Sequence, residues 1–158
     1  MLKYKGKRQL ATVFAEIIYG RILEELADLQ VMQNFTDPLL IPVPLEKDRQ
    51  KERGFNQAEL ICRELTKLDN NINFSLKTDI LIKIKNTKHQ AKVENRSERL
   101  RNIIGSFGIN EKQTDTKLEG RNIILIDDVI TTGATLTEAK KILKRAGARK
   151  VVAFTVAH

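Results

Sequence analysis

Ile123-Ile124-Leu125-Ile126-Asp127-Asp128-Val129-Ile130-Thr131-Thr132-Gly133-Ala134-Thr135 changes character twice within a short span. The apolar run Asn122 to Ile126 is of the kind found in parallel strands buried on both faces. Two consecutive carboxylates follow at its expected carboxyl end, where open α/β sheets bind ligands. Adjacent anions there are costly unless something accepts them, and a ribose diol or a bound magnesium ion would do so. The turn that follows, from Thr131 to Thr135, supplies small residues and hydroxyls and leads into a helix predicted from Leu136 to Ala146. Free backbone N–H groups and the positive end of the helix dipole make that junction an anion site. Gly133 lets the backbone approach a phosphate, Thr131, Thr132 and Thr135 can donate hydroxyl hydrogen bonds, and Ala134 keeps the mouth open. Capping alone would account for Thr131 to Thr135, and turn preference alone for Asp127 and Asp128. Their succession behind a buried strand argues for a ligand.

The helix presents Leu136, Ala139, Ile142, Leu143 and Ala146 on one face and stops at Gly147, a favourable helix terminator. Val151 to Val156 then reads as another buried strand, completing a β-α-β unit. Upstream, Gln9 to Leu29 has helical periodicity through Leu10, Val13, Phe14, Ile17, Ile22, Leu23 and Leu26. Leu39 to Val43 reads as a buried strand ending in a proline-flanked loop, and Glu46 to Arg53 is highly charged. A second amphipathic helix is predicted from Asn56 to Leu68, ended by Asp69-Asn70-Asn71. It carries Cys62 on the stripe Ala58, Ile61, Cys62, Leu65, where a small core residue suffices as explanation.

Asp79 to Lys85 alternates, with Ile80, Ile82 and Ile84 on one parity, and predicts a strand exposed on one side. Asn86 to Asn102 is polar and basic without clean periodicity. It predicts a long mobile loop, with a helical turn near Ser97 to Leu100. A strand from Ile104 to Ile109 closes a hairpin around it, and Lys112 to Lys117 connects onward.

The whole chain has 158 residues, which suits one domain, 1–158, with a core of its own. Hydrophobic residues at 41% and charged residues at 30% argue against wholesale disorder. No apolar run approaches the roughly 18 residues of a membrane span, so a cytoplasmic location is the default expectation. One cysteine excludes an intramolecular disulfide, and the two histidines, His89 and His158, are far apart in sequence. The formal charge of +8, from 28 Lys+Arg against 20 Asp+Glu, permits binding to phosphates or nucleic acid without establishing it.

The segment Ile123 to Thr135 resembles the phosphoribosyl pyrophosphate (PRPP) motif of the type I phosphoribosyltransferases. The rest of the chain narrows the resemblance to the ComF (competence protein F) family. Pro42-Val43-Pro44-Leu45, Arg49 and Arg53-Gly54-Phe55-Asn56-Gln57-Ala58 resemble its PVPL…R…RGFNQA signature. Thr87, Gln90, Arg99, Asn102 and Phe107 match its T…Q…R…N…F spacing, and Leu2-Lys3-Tyr4-Lys5-Gly6 its LKYKG element. Typical members carry a cysteine-rich, zinc-binding segment ahead of that element, and the resemblance leaves two expectations open: a short or truncated version, or one that has lost the metal module.

The resemblance implies an α/β fold: a mainly parallel sheet flanked by helices, with a mobile loop or hairpin over the site. It implies that Asp127 and Asp128 are the catalytic pair, holding the ribose hydroxyls and, through PRPP, magnesium. Thr131, Thr132, Gly133, Ala134 and Thr135 would bind the 5′-phosphate. Val43, Pro44, Arg49 and Arg53 would meet the pyrophosphate, and Thr87, Gln90, Arg96 and Arg99 belong to the flexible loop. Lys85, Lys88, Lys92, Arg96, Arg99 and Arg101 would face either pyrophosphate or a nucleic-acid backbone, and the sequence does not choose. Two functions stay open: phosphoribosyl transfer to an unidentified acceptor, or a PRPP-responsive protein of DNA uptake that binds single-stranded DNA. Competence proteins and a second copy of the chain, as a homodimer, are the further partners to consider.

Overall fold

The computed structural model describes residues 2–45, 50–52, 54–84, 96–112, 116–129 and 133–157. Its central sheet is fully parallel in the order β2-β1-β5-β6, built from β1 (Leu39–Pro42), β2 (Ser75–Leu76), β5 (Asn122–Val129) and β6 (Lys150–Ala157). The remaining strands, β3 (Leu81–Lys83) and β4 (Phe107–Ile109), form a separate antiparallel pair. The helices are α1 (Leu2–Gln33), α2 (Gln57–Asp69), α3 (Arg96–Ile103) and α4 (Ala134–Arg145), and residues 50–52 are helical as well.

Alternation along the parallel strands feeds two cores, one on each face of the sheet. Leu40, Ile124, Ile126 and Phe154 pack under α1 and α2, against Ile22, Ile61, Cys62 and Leu65. Leu39, Ile41, Ile123 and Leu125 pack on the other face, against Leu136, Ala139 and Leu143 of α4 and Leu81 and Phe107 of the β3–β4 pair. Each fully buried Leu or Ile contributes about 1.5–3 kcal/mol. The inward face expected for α4 and the core place expected for Cys62 are both observed. Burial, with Glu59 nearby and only Arg63 opposing, pushes the Cys62 thiol up and keeps it unreactive.

The first helix departs from its expected phase. It is longer, and its buried stripe is Ala11, Ala15, Ile18, Ile22 and Leu26, while Leu10, Val13 and Ile17 are exposed. Small residues let α1 approach α2 closely, and a reading weighted by side-chain hydrophobicity favours the larger neighbours. The far end of α2 is fastened by Asp69, whose carboxylate accepts from Tyr19 Oη at 2.9 Å, Asn73 Nδ2 at 2.7 Å and the Asn73 amide at 2.8 Å. At the amino edge of the sheet, Arg149 donates to Asn122 Oδ1 and to the Gln33 carbonyl, closing α1 onto β5 and β6.

Four further expectations are corrected. The strand read as Asp79 to Lys85 is only Leu81–Lys83, with Leu81 rather than Ile82 and Ile84 turned into the core. The strand read as Ile104 to Ile109 begins at Phe107, because Ile104-Gly105 form a turn after α3. Within the stretch read as a long loop, 96–103 is the helix α3, while 85–95 lie outside the described residues. Finally, β5 runs on through Val129, and α4 starts at Ala134. No described helix is long and apolar enough to cross a membrane.

Candidate functional site

Because β1 and β5 lie side by side and parallel, their carboxyl ends open at one edge. The Val43 amide extends the ladder past β1 by donating to the Ile126 carbonyl at 2.9 Å. The loop leaving β1 therefore begins beside Asp127. Asn56 secures that loop from behind. Its Nδ2 donates to the Val43 carbonyl at 3.0 Å, while its Oδ1 accepts from the Ala58 amide at 3.1 Å as the N-cap of α2.

Asp127 and Asp128 lie within β5, followed there by Val129, rather than beyond it, and Asp127 is in register with Thr155 of β6. Continued pairing with β6, whose own strand reaches Ala157, holds the pair in extended backbone. Asp127 Oδ1 accepts from the Asp128 amide at 2.9 Å. Burial pushes the Asp127 carboxyl up to about 7, with the hydrogen bond and charge of Asp128 adding to it. The Asp128 amide and the Lys83 ammonium act in the opposite direction. Lys83, at the end of β3, also lies 5.2 Å from the Phe107 ring centroid. The hairpin thus brings a cation to the acidic pair, a contribution that the short β3 segment did not announce.

On the far side of the pair stands α4. Gly133 is its N-cap, in the left-handed region at φ 76°, and has no side chain with which to cap the first turn. No acidic residue stands in that turn. Thr137 donates back to the Gly133 carbonyl through Oγ1 at 2.9 Å. The buried Glu138 accepts from the Gly105 amide at 3.1 Å, tying α4 to the turn that precedes β4. Acidic pair, hairpin and helix terminus are therefore braced against one another.

The structure thus brings together Val43, Pro44, Asp127, Asp128, Gly133, Ala134 and Thr135 at one edge of the sheet. Ala134 and Thr135 belong to the first turn of α4, not to a loop before it. Arg49, Arg53, Thr87, Gln90, Thr131 and Thr132 lie outside the described residues. Arg96 and Arg99 fall on the backbone of α3. Missed from sequence were the bracing roles of Asn56, Lys83 and Glu138. Asn56 ahead of an amphipathic run carried a capping signal; Lys83 and Glu138 carried none.

No cluster of three or more potential metal-binding side chains exists among the described residues. The two aspartates offer only oxygen donors, and a hard cation such as magnesium suits them. With two carboxyl groups alone, the fit is to a cation shared with a ligand.

The chain matches the phosphoribosyl transferase domain model over residues 51–158, more than half its length. It is 39% identical to competence protein ComFC of Bacillus subtilis over 122 residues, covering 75% of this chain and 43% of that protein. It is 32% identical to competence protein F of Haemophilus influenzae over 118 residues, covering 75% and 49%. The DNA utilization protein YhgH of Escherichia coli K12 is 27% identical over 152 residues, covering 95% and 61%. The chain spans about half the length of the curated relatives it matches. Among solved structures, a hypoxanthine phosphoribosyltransferase from Trypanosoma cruzi complexed with the product IMP superposes with a TM-score of 0.53 at 12% identity, covering 95% of this chain and 73% of that one. A second structure of that organism's enzyme gives 0.52 at 13%, covering 94% and 64%. Fold and sequence agree: the chain belongs to the phosphoribosyl transferase domain family, with the type I fold, on its ComF branch.

Proposed function

We propose that this chain binds PRPP together with magnesium at the carboxyl edge of β1 and β5 and transfers the phosphoribosyl group to an acceptor. The observation that carries the reading is the Asp127–Asp128 pair standing beside the glycine-capped start of α4. One end offers acceptors for a sugar diol and the other offers backbone N–H groups for a phosphate, as a phosphorylated sugar requires. The loop that leaves Val43 and Pro44 then receives the pyrophosphate, and Arg49 and Arg53 are the cations assigned to it.

In the reaction, the bond between the anomeric carbon and the pyrophosphate oxygen breaks with its electron pair on the oxygen. An acceptor nitrogen supplies the pair for the new bond and gives its proton to solvent. Magnesium, when bound, offsets the charge of the departing anion. The protein's part is positioning: the aspartates fix the ribose, and the start of α4 fixes its phosphate. A cytoplasmic location belongs to the same reading. Calorimetric titration with PRPP and magnesium tests it. Heat of binding is expected for the native chain and none for the folded double variant Asp127→Asn, Asp128→Asn; equal affinity would reject the assignment.

One further observation favours a second reading, a protein of DNA uptake that binds single-stranded DNA and responds to PRPP. Lys140, Lys141 and Lys144 of α4 join Arg149 and Lys150 along a groove of about 700 Å³. It lies away from the acidic pair, where α4 ends and β6 begins. Such a row suits a phosphodiester backbone. Binding that tightens steeply as salt is lowered, with a flatter slope after Lys140→Ala and Lys141→Ala, would support it; salt-insensitive or absent binding leaves the transferase reading ahead.

A further inference from the structure

Gln57 opens α2 directly after the Asn56 cap, and the residue is only 8% exposed. Both polar atoms of its amide, Nε2 and Oε1, are buried without a hydrogen-bond partner in the protein, alone in this among the described side chains. Other buried polar residues are satisfied: Asp69 by Tyr19 and Asn73, Glu138 by Gly105, Asn122 by Arg149 and the Thr36 carbonyl. An amide offers two donors and an acceptor oxygen, and enclosing both ends unpaired is unfavourable, whereas a leucine of similar volume would cost nothing there.

Its location gives the amide a use. Gln57 stands one turn ahead of Ile61 and two ahead of Leu65, on the α2 row that packs over Leu40, Ile124 and Ile126. Strand alternation puts Asp128 next after Ile126 on that face. Asn56, the preceding residue, holds the Val43 carbonyl. Gln57 therefore stands at the carboxyl edge of the sheet, next to the residue that holds the loop leaving β1, at the amino-terminal and dipole-positive end of a 13-residue helix.

We infer that Gln57 is a ligand-binding residue that takes the pyrophosphate end of PRPP, with Nε2 donating to a phosphate oxygen and Oε1 accepting from water bound with the anion. The inference rests on the PRPP reading above and adds to it a residue for anion recognition that does not depend on charge.

The test compares native chain and Gln57→Leu by calorimetry in magnesium, with PRPP, inorganic pyrophosphate and ribose 5-phosphate as separate titrants. Affinity for PRPP and pyrophosphate is expected to fall at least tenfold, with ribose 5-phosphate changed less than twofold. The ligand-free melting temperature should hold or rise, since an unpaired amide has been removed. Gln57→Glu, nearly isosteric, should weaken pyrophosphate further by setting a carboxylate against it. Native chain and Gln57→Leu binding pyrophosphate equally would overturn the inference, as would a melting temperature well below native. A native chain that binds none of the three ligands would instead reject the PRPP reading itself.

Discussion

Asn56 Nδ2 donates to the carbonyl of Val43 across 3.0 Å, joining the start of α2 to the exit of β1. The same side chain caps α2 through Ala58, so one residue holds the loop and starts the helix behind it. Asn56→Ala removes both bonds and leaves the Val43 carbonyl to be satisfied otherwise. It should destabilise the fold by about 2 kcal/mol, seen as a lower urea midpoint at unchanged slope. Asn56→Asp keeps the cap and loses the donor. Its stability should lie between native and Asn56→Ala, and its pyrophosphate affinity should fall below that of Asn56→Ala, because it also sets a carboxylate beside the loop leaving β1.

The acidic pair predicts an unusual pH response. Burial raises the Asp127 carboxyl to about 7, with Asp128 adding to the shift, while an unfolded aspartate titrates near its ordinary value of about 3.9. Between those values the folded state holds a proton that the unfolded state has released. Stability of the ligand-free protein should therefore fall as pH rises from about 4 to 7, and level off above. Asp127→Asn should flatten that part of a melting-temperature profile. Cation and sugar binding favour the ionised carboxylate, so magnesium-dependent PRPP affinity should climb with pH up to about 7 and plateau. Binding should release protons below that pH, measurable as a heat that varies with the ionisation enthalpy of the buffer.

Much of this was legible because it follows from local chemistry. The runs around Ile124 and Val152 announced parallel strands, although the second lies at the sheet edge and is only partly buried, and the order from Asp128 to Gly133 announced the turn from strand to helix. What escaped depends on contacts distant in sequence. The phase of α1 was hidden because Ala11 and Ala15 are weakly apolar yet are chosen for close approach to α2. The strand character of Asp127 and Asp128 was hidden because charge argues against a strand interior, while pairing with Thr155 and its neighbours overrides propensity. Lys83 reaches Asp127 through the placing of a three-residue strand, which no periodicity reports.

The Asp69 cluster separates stability from function. Burial acts to raise this carboxyl, but hydrogen bonds from Asn73, Tyr19 and the Phe74 amide outweigh it and leave it below its ordinary value. Asp69→Ala should cost about 3 kcal/mol, and Tyr19→Phe about 1 kcal/mol, since the latter removes a single bond. With a depressed folded value, the contribution of Asp69 is present above about pH 4 and disappears as pH falls through that value. The cluster closes the far end of α2, away from the acidic pair. PRPP affinity measured well below the melting temperature should be unchanged in both variants.

Two glycines test whether the start of α4 is a cradle or merely a cap. Both have positive φ, 76° at Gly133 and 106° at Gly147, so alanine is strained at either position by roughly 1–2 kcal/mol. Their surroundings differ. A Cβ at Gly147 would stand 3.1 Å from the Glu119 Cα, a backbone atom that cannot swing aside, whereas a Cβ at Gly133 meets nothing within 4 Å. Gly147→Ala should accordingly lower the melting temperature more. Its ligand affinity should stay near native, because the crowded contact lies at the carboxyl end of α4. Gly133→Ala should fold with the smaller loss yet bind PRPP and ribose 5-phosphate at least tenfold more weakly, its methyl group standing where a phosphate would meet the backbone. Equal affinities for the two variants would show that Gly133 serves the helix alone.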